Sequence, residues 1–288
     1  MANEMQGKTV LISGATNGIG LVTARELAKM GAEVVVVGRS KAKTEETVRK
    51  ILTVSGHQQV HGLVADLSLM SEVRRVAQEF NQRFPRLDVL INNAGAMFAE
   101  RRETAEGNEM TLALNHLNYF LLTHLLLDKL KSSTPARIVS VSSDAHRTLP
   151  LKLDDLQSRK NYGMGGLGAY SQSKLMNVMF TYELARRLRG TGATANVLHP
   201  GFVATGFARN NGGLMSLVMK AISVFAISPQ EGAKTSIYLA SSPEVEGVSG
   251  KYFEKCKAVP SLPAAYDEAA QRQLWTISEQ LVGLTAAV

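Results

Sequence analysis

Lys8–Gly20, KTVLISGATNGIG, decides the fold. Its first half, Lys8–Ser13, is a short run rich in β-branched and apolar residues, the pattern of a strand buried on both faces. Its second half, Ser13-Gly14-Ala15-Thr16-Asn17-Gly18-Ile19-Gly20, is a glycine turn that opens a helix over Leu21–Met30, closed by Gly31. Glycines there let the chain turn sharply and bring backbone N–H groups up to a pyrophosphate. The helix N-terminus behind them favours an anion through its dipole. The spacing is G-x-x-x-G-x-G, and its place between a strand and a helix is what makes it informative.

Working outward, the same alternation repeats. Strands are expected at Glu33–Val37, Val60–Val64, Leu87–Ile91, Ala136–Val141, Ala193–Leu198 and Gly250–Phe253, and helices at Val73–Phe84, about Asn108–Lys131, Gly168–Arg189 and from Pro229. Apolar strands spaced by helices predict an α/β fold: a doubly wound parallel sheet of the Rossmann type with about seven strands. With no repeat or linker, one domain is expected over 1–288. Two stretches break the rhythm. Residues 202–228 are too long for an ordinary βα connection and read as either a substrate lid or a helix packed on the core, while 263–288 reads as a structural helical tail carrying Trp275. The Asn115–Lys131 helix is apolar nearly all round, which calls for burial against the sheet or against a second copy in a dimer or tetramer.

Composition narrows the classes. Of 288 residues, 45% are hydrophobic and 20% charged, enough apolar material for a large core. The lone Cys256 excludes a disulfide framework and fits a reducing compartment. The first 15 residues lack a secretory pattern, and the apolar runs Tyr119–Leu127 and Leu217–Ile227, interrupted by His124 and Lys220, are too short to span a bilayer. A soluble, cytoplasmic protein is expected. The net charge of +7 is scattered, with pairs such as Arg74/Arg75 and Arg186/Arg187 reading as solvated helix faces, so no nucleic-acid partner is expected.

Several residues at the expected carboxyl ends of strands can carry chemistry. A site selective for NAD usually places an acid about 20 residues beyond the glycine turn, on the ribose 2′-OH. Here the second strand ends in Gly38-Arg39-Ser40-Lys41, and Arg39 could instead meet a 2′-phosphate, so NADP(H) is expected. The third strand ends at Asp66-Leu67 and the fourth at Asn92-Asn93-Ala94-Gly95. Gly163–Gly168, GMGGLG, formally matches another dinucleotide turn, but no strand precedes it and it reads as a flexible loop. In Tyr170-Ser171-Gln172-Ser173-Lys174, Tyr and Lys lie one helical turn apart on one face, with Ser142-Ser143 at the preceding strand end. A phenol of pKa about 10 is a poor base at neutral pH, but a nearby ammonium lowers that pKa. The pair can then exchange a proton with an alcohol or carbonyl oxygen. No G-x-S-x-G elbow is present, and His57 and His61 straddle an expected strand start, which disfavours a metal pair.

Taken together, S-G-A-T-N-G-I-G, D-L, N-N-A-G, N-H-L-N, V-S-S, Y-S-Q-S-K and H-P-G-F-V-A-T make the chain resemble the short-chain dehydrogenase/reductase family over nearly its full length. Asn115–Lys131, Arg137–His146, Tyr182–Pro200 and Ser236–Tyr252 resemble its retinol-dehydrogenase-like and WW-domain-oxidoreductase-like branches. The resemblance implies that Tyr170 is the acid/base, that Lys174 lowers its pKa and binds the nicotinamide ribose, and that Ser143 hydrogen-bonds the substrate oxygen. Asn115 would hold a proton-relay water. The phosphate turn would comprise Gly14, Thr16, Asn17, Gly18, Ile19 and Gly20, with Arg39 and Ser40 beyond it. Asp66 and Leu67 would meet the adenine, Asn93, Ala94 and Gly95 the ribose side, and Pro200, Gly201, Val203 and Thr205 the nicotinamide amide. Ser13 replaces the usual threonine, and Asn118 stands where the branch often has glycine. No counterpart of the branch's membrane-anchoring leader is visible before Lys8.

The expected activity is NADP(H)-dependent interconversion of a carbonyl and an alcohol. Met97, Phe98, Phe202, Phe207, Leu214 and Met215 suggest a hydrophobic small-molecule substrate. The competing reading is a dinucleotide-binding regulatory protein without turnover, which has no need of Asn115, Ser143, Tyr170 and Lys174 together.

Overall fold

A computed structural model describes residues 4–202 and 227–284. Strands β1 (Thr9–Ser13), β2 (Glu33–Gly38), β3 (Val60–Val64), β4 (Val89–Asn92), β5 (Ala136–Val141), β6 (Ala193–His199), β7 (Tyr252–Glu254) and β8 (Lys257–Val259) form one sheet in the order β3-β2-β1-β4-β5-β6-β7-β8. All neighbours pair in parallel except β7 and β8. The order reverses between β1 and β4, which opens a crevice at the carboxyl ends of those strands.

Between the strands run α1 (Gly18–Lys29), α2 (Lys41–Ser55), α3 (Met70–Arg83), α4 (Met110–Leu112), α5 (Asn118–Ser132), α6 (Leu167–Arg187) and α7 (Pro229–Ser241), and α8 (Glu268–Leu281) follows β8. Strand side chains alternate between faces, so each strand feeds two cores. Val34 and Val36 pack with Ala24, Leu27 and Ile51 on one face, whereas Val35 and Val37 pack with Val73, Phe80, Leu121 and Met176 on the other. This two-sided burial is why the strands read as unbroken apolar runs.

The structure departs from the sequence reading in five places. β8, a three-residue antiparallel edge strand, makes the sheet eight-stranded. α2 was not expected: its polar sequence hides it, although Ser40 accepts a hydrogen bond from Lys43 N at its start and Gly56 (φ +67°) ends it. The helix expected over Asn108–Lys131 is broken by a π turn at Ala113–Leu117. GMGGLG is a packed turn and not a flexible loop, because a Cβ on Gly166 (φ +79°) would stand 1.8 Å from Phe98 O. Arg186 and Arg187 are not simply solvated: both pair with the buried Glu183, and Arg187 lies 4.1 Å above the Trp275 ring, lashing α6 to α8. α3, β4 and β5 pack on α5, and Trp275 of α8 meets Phe120 edge-on at 4.9 Å, so neighbours within the same chain bury that apolar helix. No helix among the described residues is long and apolar enough to cross a membrane.

Candidate active site at the carboxyl edge of the sheet

The β1–α1 turn is held by side chains that bond only backbone. Ser13 Oγ accepts from Asn93 N (2.9 Å) and Ala94 N (3.1 Å), and Asn93 Nδ2 donates to Ser13 O (2.9 Å) and Gly14 O (3.0 Å). The β4 end is thereby strapped to the turn. Gly14 (φ +67°) sits so close that a Cβ would lie 2.7 Å from Ala94 Cα, and one on Gly20 would lie 2.5 Å from Asn93 Nδ2. The amides of Gly14 and Ala15 are spent on Val37 O (2.9 and 3.3 Å). Those of the first helical turn are not so used. Asn17 occupies the N-cap in extended conformation without a side-chain cap bond, and the first turn holds no acid. Helix-opening N–H groups at Gly18, Ile19 and Gly20 lack intrahelical acceptors, so the turn presents donors and a positive dipole end to an anion. A dinucleotide pyrophosphate fits this cradle.

Around the cradle, Thr16 packs over Gly38, where a Cβ would lie 2.4 Å from the Thr16 methyl, a constraint the sequence reading passed over. Arg39 is exposed and has no ion pair among the described residues, whereas the Ser40 side chain is engaged in capping α2. Asp66 Oδ1 accepts from Ser68 N (3.0 Å) and Ser68 Oγ (2.7 Å), and Leu67 is buried in the core, so only its backbone remains to face a ligand. Pro200 and Gly201 (φ +89°) follow β6, and a Cβ on Gly201 would stand 2.5 Å from Ile227. Val203 and Thr205 lie outside the described residues, as do Phe207, Leu214, Met215 and nearly all of the 202–228 insertion.

The second cluster joins β5 to α6. Tyr170 is 8% exposed and shares a side-chain hydrogen bond with Ser143, whose Oγ also accepts from Ala145 N (3.2 Å). One turn along, Lys174 is 3% exposed, and its Nζ donates to Val141 O at 3.2 Å. Ser142 Oγ closes the helix against the strand by donating to Lys174 O (2.7 Å). The Gly95 end of the N-N-A-G turn reaches this cluster, since a Cβ there would come 3.4 Å from Lys174 Nζ and 3.2 Å from Asn115 Oδ1. With one acceptor among the described residues, the ammonium keeps N–H capacity for a ribose hydroxyl.

Electrostatically the pair differs from the sequence expectation. Burial raises the Tyr170 pKa, opposed by the Ser143 hydrogen bond, and burial draws Lys174 down to about 7. Lys174 Nζ lies over the Tyr170 ring, 5.6 Å from its centroid, and desolvation is the largest influence on both groups. Asn115 sits in the π turn, a feature frequent at functional sites. Its amide is locked to Ala96, accepting from Ala96 N and donating to Ala96 O, each at 2.9 Å, and it also donates to Ser173 Oγ (3.0 Å). That leaves its backbone carbonyl, which accepts from Asn177 Nδ2 (3.0 Å). Asn177, Ser173 and the Val141 carbonyl are thus parts of the cluster that sequence reasoning missed. Only the packing of β5 against α6 brings them together.

Residues 8–153 match the model of the short chain dehydrogenase family. Retinol dehydrogenase 14 of Homo sapiens is 47% identical over 97% of this chain and 88% of its own length. Among solved structures, an uncharacterized protein of Mycobacterium paratuberculosis superposes with a TM-score of 0.78 at 35% identity, over 96% of this chain and 94% of that one. The RhlG/NADP active-site complex of Pseudomonas aeruginosa gives a TM-score of 0.69 at 26% identity, over 88% of this chain and 96% of that one. The chain belongs to the short chain dehydrogenase family of oxidoreductases and, within it, is retinol-dehydrogenase-like.

Proposed function

We propose that this protein interconverts a hydrophobic aldehyde or ketone and the corresponding alcohol with NADP(H). The observation that carries the reading is the buried Tyr170 hydroxyl, hydrogen-bonded to Ser143 with Lys174 one helical turn away, at the sheet edge that also bears the glycine cradle. A bound nicotinamide dinucleotide supplies or accepts the hydride. Tyr170 holds the proton exchanged with the substrate oxygen, and its raised pKa keeps it protonated, as a donor to a carbonyl must be. Ser143 orients the same oxygen. Lys174 contributes N–H donors to the nicotinamide-side ribose and, when protonated, favours the phenolate left after transfer. Asn115 keeps the Ala96 backbone in place beneath them.

NADP(H) is favoured because β2 is followed by the exposed Arg39, which has no ion pair among the described residues and no carboxylate beside it in Gly38–Lys41, and a planar guanidinium suits a 2′-phosphate. The Pseudomonas aeruginosa relative is named as an NADP complex. A hydrophobic substrate is supported by the name of the human relative and by Leu149, Met164, Leu167 and Phe202, large apolar side chains left exposed in the segments that follow β5, open α6 and follow β6. Measuring NADPH oxidation against a panel of retinoid, aliphatic and aromatic aldehydes, ketones and quinones tests the reading. Turnover of apolar aldehydes or ketones is expected, faster with NADPH than with NADH. A protein that binds NADPH but turns over none of the panel would contradict it.

A further inference from the structure

His146 lies outside the set of groups just assigned, yet its ring is 0% exposed and both its nitrogens are bonded. Nδ1 stands 2.8 Å from Ser143 O, and Nε2 stands 3.2 Å from Leu262 N. A carbonyl can only accept and a backbone amide can only donate. Nδ1 must therefore carry the hydrogen and Nε2 must be bare, which is one defined tautomer of neutral imidazole. Burial lowers the histidine pKa, in keeping with that neutral form. The Ser143 carbonyl receives a second bond from the backbone of the same residue, His146 N, at 3.1 Å.

The far end of this strut is itself fixed. Leu262 follows Ser261, whose Oγ accepts from the Tyr182 hydroxyl of α6 (2.8 Å) and whose amide donates to the Tyr266 hydroxyl (3.1 Å). The Tyr252 ring packs against the imidazole at 4.8 Å between centroids. A continuous path thus runs from α6 through Ser261 and Leu262 to the imidazole and on to Ser143. The same helix carries Tyr170, so both hydrogen-bonding partners of the site are referred to one rigid element. We propose that His146 is the positioning residue for Ser143, a neutral imidazole strut whose Nδ1–H sets the serine's backbone and with it the direction of its hydroxyl. The inference rests on the reading of Ser143 as the group that meets the substrate oxygen.

His146→Asn and His146→Gln separate the two halves of the strut. Asparagine returns an N–H near the Nδ1 position but does not reach Leu262. Glutamine reaches the Nε2 position with an acceptor for Leu262 N–H but offers no donor to Ser143. Arg147, which donates to Pro260 O at 2.7 Å, ties the same two segments independently and supports folding of both variants. The measurements are kcat for carbonyl reduction, NADPH affinity and thermal midpoint, with wild type alongside. Misplacing a reacting group by about 1 Å can cost about 10²-fold, so kcat of His146→Gln is expected to fall roughly 10–100-fold, with NADPH affinity unchanged. His146→Asn should stay within about threefold of wild type by the same logic. Equal loss in both variants, tracking a lowered thermal midpoint, or full activity in His146→Gln overturns the proposal. Imidazole 15N shifts give an arm that needs no turnover. A protonated Nδ1 with bare Nε2 supports the strut and the opposite tautomer refutes it, whereas a wild type inactive on every substrate speaks against the functional reading alone.

Discussion

The β1–α1 turn and the β5–α6 cluster lie on one sheet edge and are built in opposite ways. In the turn, polar side chains are consumed internally: Ser13 and Asn93 bond backbone, and what is left to face a ligand is main chain at the uncapped start of α1. In the cluster the site is made of side chains: Tyr170 and Ser143 hydrogen-bond each other, Lys174 Nζ donates to Val141 O, and Ser142 Oγ ties down the backbone at Lys174 O. A site made of backbone tolerates changes of side chain but not an added Cβ. One made of side chains fails when a single functional group is removed. Substitutions in the two regions should therefore act on different quantities: binding in the first, turnover in the second.

The largest effect that would test this contrast comes from Lys174→Met, because the lysine reaches toward both regions. Removing it abolishes the ammonium beside Tyr170 and the N–H donors assigned to the ribose. Acid–base contributions are typically about 10²–10⁴-fold, so kcat should fall by at least the lower end of that range while the dissociation constant for NADPH rises. Steady-state kinetics and fluorescence titration check both. Normal NADPH affinity in this variant would place the lysine in the side-chain region alone.

Arg39→Asp bears on the binding side only. A hydrogen bond to a charged group is worth about 1.5–3 kcal/mol, so NADPH affinity should weaken by roughly 10–100-fold. NADH affinity should change far less, and kcat at saturating cofactor should hold. Equal affinity of the wild-type protein for NADH and NADPH would remove the role given to this arginine.

A smaller effect concerns stability. Burial holds Lys174 at about 7, against an ordinary lysine value of 10.5. Between those pH values the unfolded chain binds a proton that the folded chain has released, so folded-state stability rises with pH. The slope per group is at most about 1.4 kcal/mol per pH unit. Urea unfolding of the nucleotide-free protein at pH 7 and pH 9 should show this gain, and Lys174→Met should lose it. An unchanged slope in the variant would mean that the lysine is not held neutral by burial.

How much of this was legible beforehand divides along the same line. The backbone-built region is local: strand, glycines and helix follow one another in Lys8–Gly20, and its cross-tie, Asn93, sits in a short motif of its own. Tyr170 and Lys174 were legible because one helical turn separates them. Their surroundings were not. The Val141 carbonyl, Ser173, Asn177 and His146 join the site through bonds between segments far apart in sequence, to Lys174, Asn115, Asn115 and Leu262 respectively, and nothing in their local pattern marks them. The raised pKa of Tyr170 was likewise hidden, because it comes from burial in the folded chain rather than from its neighbour in sequence. α2 escaped notice for the converse reason. Its caps are readable, but its exposed face is polar, and only Thr44, Thr47 and Ile51 are fully buried.

The central claim is that Tyr170 moves the proton. Tyr170→Phe deletes one hydroxyl and leaves the ring that α6 packs, so folding and NADPH affinity should be close to wild type. Turnover of the best carbonyl substrate and NADPH titration should be measured on the variant and on wild type together. The account predicts a fall in kcat of about 10²–10⁴-fold or more, with the dissociation constant for NADPH unchanged. Near-normal turnover in Tyr170→Phe would contradict it, because another group would then have to supply the proton.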